Sequence, residues 1–75
     1  MDKKIFLQNI KQQFEDNEIV IDFFSNFKDQ EYYDSLIGMS IMVMIQDEYN
    51  YKISHNDYHS IDTVEGLYDF ILKNK

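Results

Sequence analysis

Asp34-Ser35-Leu36-Ile37-Gly38-Met39-Ser40-Ile41-Met42-Val43-Met44-Ile45-Gln46-Asp47-Glu48-Tyr49 is the stretch around which this chain is organised. Asp34 and Ser35 suit the start of a helix, because their side-chain oxygens can satisfy backbone N–H groups that a first turn leaves unpaired. Leu36 to Ile45 then carries no charge, and Gln46-Asp47-Glu48 closes the run with a polar, acidic edge. The spacing predicts a helix from Ser35 to about Tyr49, with Leu36, Met39, Met42 or Val43, Ile45 and Tyr49 on its inward face. Ile37, Ile41 and Met44 are expected on its other sides. A helix this apolar must be buried on more than one side or dock a partner. Ten residues of helix reach about 15 Å, roughly half of what a membrane span needs.

The 75 residues around it allow one domain, 1–75, and a chain of this length buries only about 60–70% of its unfolded surface. The margin left by such a core is about a few kcal/mol, too little for a deep active site. A hydrophobic content of 44%, with six Tyr and six Phe, nevertheless argues for a folded chain. The formal charge is −7, and between Asp29 and Asp69 nine acids accompany one base, Lys52. Such a surface repels phosphate backbones, so nucleic acid and anionic membranes are poor partners; it suits basic protein patches or, equally, plain solubility. There is no Cys for a disulfide or thiolate site, and no apolar signal segment, so a cytoplasmic protein is expected. Pro is absent and Gly occurs twice, which leaves turns to Asn, Asp and Ser.

Upstream, Asp2 can cap a first helix, and Phe6, Ile10 and Phe14 at every fourth position predict that helix over Lys3 to Phe14, ending softly in Glu15-Asp16-Asn17-Glu18. Ile19-Val20-Ile21 reads as an extended segment that tucks Ile21 into the core. Phe23, Phe24 and Phe27 predict a connection of about twenty residues packed against the helices, and one that long is usually functional or firmly anchored. Lys28 to Glu31 is expected to be exposed. Downstream, Ile53 reads as a buried anchor, and Ser54 with Asp57 marks a short helix. Asp62-Thr63-Val64-Glu65 resembles a capping box, with Asp62 as the cap, opening a last helix whose Val64, Leu67, Tyr68, Ile71 and Leu72 share a face. The expected architecture is an all-α four-helix bundle, three main helices plus one short, with a long first loop.

Catalytic motifs are absent. No nucleophile elbow and no Gly-rich phosphate loop occur. His55 and His59 are four apart and could share a helical face, but no third strong ligand stands with them, so no metal is expected. The acids lack an apolar pocket that would raise one pKa, so they read as a solvated face. Ser35 remains; taken alone, a serine beside an aspartate at a helix start reads as a cap.

The frame around Ser35 resembles the acyl carrier protein family over essentially the whole chain. Asp34-Ser35-Leu36 is followed at the family's distances by Asp47-Glu48-Tyr49, by Ile53, and by Ile61-Asp62-Thr63-Val64. Ile21 and Phe27 match the family's loop anchors, and Phe6, Ile10 and Phe14 match its first helix. The resemblance implies that Ser35 carries a 4′-phosphopantetheine arm, supplied from coenzyme A by a phosphopantetheinyl transferase, with Asp34 and Leu36 completing the motif. The arm would hold acyl groups as thioesters for enzymes of fatty-acid or polyketide-like biosynthesis, and the chain itself, a monomer without a membrane span, would not be an enzyme. Partner contact is expected at Ile37, Ser40, Ile41, Met44, Asp47 and Glu48, with Met39, Met42 and Met44 suited to a deformable acyl lining. Tyr32 stands where the family usually has Gly, and Glu31 where Leu is common. Ile37 and Ser40 replace acids that follow the serine in typical carriers, which implies more apolar docking and a specialised pathway. Two alternatives stay open: an aminoacyl or D-alanyl cargo delivered by the corresponding loading enzymes, and an unmodified helical module that binds partners through Ile37, Ile41, Tyr32 and Tyr33.

Overall fold

In a computed structural model, which describes residues 1–14, 20–30 and 33–75, the chain is an all-helical bundle. Its elements among these residues are α1 (Lys3–Gln12), a 3-10 turn (Phe27–Asp29), α2 (Ser35–Tyr49), α3 (His55–His59) and α4 (Val64–Asn74). The expected end of α1 at residues 15–18, Ile19, Glu31 and Tyr32 lie outside the described residues.

Each helix begins where a short polar side chain takes over orphaned amides. The Asp2 carboxylate accepts from Lys4 N and Ile5 N at 2.8 and 3.1 Å. Ser54 Oγ accepts from Asp57 N at 3.1 Å and opens α3 as expected. At α4 the cap is Thr63, whose Oγ1 accepts from Gly66 N at 3.0 Å, and not Asp62. Asp62 lies one residue before the cap: its backbone carbonyl takes the Phe27 amide at 3.1 Å, while Glu65 N donates to Phe23 O at 2.8 Å. Those two bonds stitch the first connection onto the start of α4. α1 stops two residues short of Phe14, where the Gln13 and Phe14 amides tighten onto the carbonyls three residues back. Asn50, at φ 53°, ends α2 in the left-handed conformation, a role that glycine usually takes and that asparagine tolerates.

One core runs through all four helices and the first connection. Phe6, Ile10 and Phe14 contribute from α1 and its end, Ile21 and Phe27 from the connection, and Val64, Leu67, Tyr68 and Ile71 from α4. Phe6 packs its ring against Tyr49 and Tyr68 at 5.3 and 5.7 Å, which ties α1 to both neighbours. Ile53 is buried as expected, but Phe24 and Leu72 face solvent. Lys28, expected to be exposed, is only partly so, because it lies against α3.

α2 is rotated relative to the face read from its sequence. Ile37, Gly38, Ile41, Met44 and Ile45 are buried, while Leu36, Met39 and Val43 are 72%, 57% and 56% exposed. The uncharged run from Leu36 to Ile45 offers apolar residues at helical spacing in either phase, so periodicity alone does not select one. Packing selects the Ile37–Ile41–Ile45 ridge and leaves Leu36, Met39 and Val43 outside. The selected face also contains Gly38, where α2 is narrow enough for Tyr33 and Tyr58 to approach.

Candidate functional site

The start of α2 places two adjacent side chains in different roles. Asp34 is extended and caps the helix, its Oδ1 accepting from Ile37 N at 2.9 Å while its carbonyl receives Gly38 N at 3.0 Å. Ser35 is the first helical residue and is exposed. Capping, the ordinary reason for a serine here, is therefore performed by its neighbour. An anion attached to Ser35 would stand at the positive end of a 15-residue helix, beside amides that point outward.

An apolar stripe leads away from Ser35 along the outer face of α2. Leu36, Met39 and Val43 follow one another at helical spacing, with the exposed polar residues Ser40, Asp47 and Glu48 beside them. Two open grooves share this stripe. One, of about 420 Å³, is lined by Met39, Met42 and Val43 on α2 and by Ile53, Ser54 and His55 from the following connection and α3. Gln46 and Lys52 also line it. The other, of about 460 Å³, lies between the end of α1 at Gln13 and α2, with Asp47 and Glu48 among its lining.

The residues expected to meet partners separate accordingly. Ser40, Asp47 and Glu48 are on the outer face together with Leu36. Ile37 and Ile41 are in the core and present no docking surface, which corrects their expected role; Met44 is also buried, touching only the second groove. Met39 and Val43 are the apolar side chains exposed there instead. The signal that could have found Val43, and Leu36 with it, is polar: Ser40 and Asp47 are seven residues apart and mark one face, and Leu36 and Val43 fall on it at four-residue steps. Met39 and Met42 line the first groove, and Met44 lines the second.

His55 and His59 are both exposed on α3, and among the described residues no group of three His, Cys, Asp or Glu side chains could hold a metal ion. No described helix is long and apolar enough to cross a membrane. No protein-family model matches the chain, and no curated protein or solved structure matches it. Function is therefore read from the residues of the site.

Proposed function

We propose that this chain is an acyl carrier protein, with a 4′-phosphopantetheine arm joined through a phosphodiester to the Ser35 hydroxyl. A phosphopantetheinyl transferase supplies the arm from coenzyme A, so the chain contributes an accessible hydroxyl and no base or oxyanion hole. The arm's thiol holds acyl groups as thioesters and presents them to partner enzymes of fatty-acid or polyketide-like biosynthesis in the cytoplasm, the chain acting as a monomer. The observation that carries this reading is the division of labour at α2: Asp34 caps the helix, and Ser35 stands exposed beside it. The favourable field of the helix N-terminus and the apolar groove alongside Met39 and Val43 agree with it.

Incubated with coenzyme A and a broad-specificity transferase, the protein gains the mass of one arm, and Ser35→Ala gains none. Absence of the addition with several transferases removes the carrier reading. An aminoacyl or D-alanyl cargo would use the same arm, and the cargo found on protein from its own host separates the two.

The exposed Leu36–Met39–Val43 stripe favours one further reading, an unmodified helical module that docks a partner on this face. Intact mass of the protein from its own host decides between them. An unmodified chain in stable complex with another protein supports the module, and an arm on Ser35 excludes it.

A further inference from the structure

We propose that the hydroxyl pair of Tyr33 and Tyr58 is a latch that pins α3 to the entrance of α2 and sets the width of the groove between Met39 and Val43 on α2 and Ser54 and His55 at the start of α3. Tyr33 lies two residues before Ser35, and Tyr58 is the buried residue of α3. Their hydroxyl oxygens are 2.9 Å apart, joining segments 25 residues apart in sequence. Gly38 makes room for the pair. A Cβ at that position would lie 2.7 Å from the Tyr33 hydroxyl and 3.5 Å from the Tyr58 ring.

A second contact holds α3 through Lys28. Lys28 Nζ donates to the Tyr58 carbonyl at 2.6 Å and stands over the Tyr58 ring at 4.3 Å from its centroid. Phe27 beds both tyrosines, with ring centroids 6.0 Å from Tyr33 and 6.2 Å from Tyr58. α3 has only five residues, far too few to persist as a helix without such contacts. Its cap, Ser54, and its first residue, His55, form one wall of the groove opposite Met39 and Val43. The freedom of α3 is therefore the freedom of that wall, and releasing the hydroxyl pair widens the groove. What the groove accepts rests on the carrier reading; the latch itself does not.

The test uses the full chain without any arm, so it stands or falls independently of modification at Ser35. Amide hydrogen exchange is followed by NMR in the wild type, Tyr33→Phe, Tyr58→Phe, the double variant and Gly38→Ala. The α3 reporters are Tyr58 N and Ser60 N, bonded to Ser54 O and Asn56 O, and amides of α1 and α4 are the internal reference. Each single Tyr→Phe change should speed α3 exchange about fivefold relative to the reference, the value of one ordinary hydrogen bond. The double variant should go no further than either single one, because the two hydroxyls are one interaction. Gly38→Ala should do the same without loss of overall stability, since displacing the Tyr33 hydroxyl is offset by the better helix propensity of alanine. The neutral apolar dye N-phenyl-1-naphthylamine should bind more strongly to every unlatched form. Unprotected α3 amides in the wild type, exchange that changes equally in all helices, additive effects in the double variant, or unchanged dye binding would each overturn the proposal.

Discussion

Ser35 and Asp34 are both good capping residues, and at the level of the single residue the assignment between them carries the functional argument. With Asp34 accepting the Ile37 amide, Ser35 is exposed on the first turn, and capping does not account for its presence there. Tyr58 shows the opposite situation, a polar group enclosed. Burial, and then the hydrogen bond with Tyr33, push its phenol pKa well above the ordinary value of 10.0. Tyr49 shares the direction, with burial again the main cause. A folded pKa above the unfolded one means that the neutral phenol stabilises the fold fully below about pH 10, and that this contribution is lost as pH rises further. Lys28 opposes it, because burial lowers its ammonium pKa against the pull of Asp62, but one partly solvated amine is the smaller effect. In an alkaline titration, tyrosinate absorbance from Tyr58 should therefore appear only as the helical circular dichroism signal is lost. Ionisation of all six tyrosines near pH 10 with helicity intact would contradict this enclosure.

At the scale of elements, α2 is the helix whose orientation matters most, since it presents Ser35 and walls both grooves. Its phase makes unequal demands on residues of similar hydrophobicity. Ile41 is fully buried, whereas Met39 and Val43 are more than half exposed. Ile41→Ala should destabilise by about 2–5 kcal/mol, a sizeable share of the stability of so small a domain. Met39→Ala and Val43→Ala should each stay within about 0.5 kcal/mol of the wild type. Urea unfolding of the three variants checks the ranking, and a reversed order would restore the rotation read from sequence alone. The first connection belongs to this scale as well. Its Phe23 carbonyl and Phe27 amide bond to Glu65 and Asp62, and Phe27 is fully buried, so the connection is a packed part of the bundle. Asp22 tightens the turn before them, accepting from the Ser25 hydroxyl and the Phe24 amide, bonds that hold its carboxyl below its usual pKa.

For the whole molecule, the formal charge of −7 on 75 residues is the dominant long-range term. Among the described residues the one ion pair is Lys28 with Asp62, at 3.9 Å. Self-repulsion among the acids between Asp29 and Asp69 is therefore relieved mainly by ions from solution. The thermal midpoint should rise by about several degrees between low salt and ~0.5 M salt, and divalent cations should achieve it at lower concentration. A midpoint indifferent to both would show that the acids are too far apart to repel. The same charge favours partners with basic surfaces around an apolar centre, matched to Asp47 and Glu48 beside Leu36, Met39 and Val43.

Sequence by itself determined the four helices, the bounds of α2, the buried anchors Phe6, Ile10, Ile21, Phe27 and Ile53, and the capping step at Asp34-Ser35. These follow from local physics: capping oxygens, helical periodicity, and the scarcity of glycine that sent Asn50 into the left-handed turn. Tertiary structure decided which way α2 faces, which of Asp62 and Thr63 caps α4, and that Tyr33 meets Tyr58 across Gly38. The reason is common to the three. A run apolar in every phase, two adjacent capping residues, and two tyrosines 25 positions apart are each locally degenerate, and only the neighbour that arrives on folding breaks the tie.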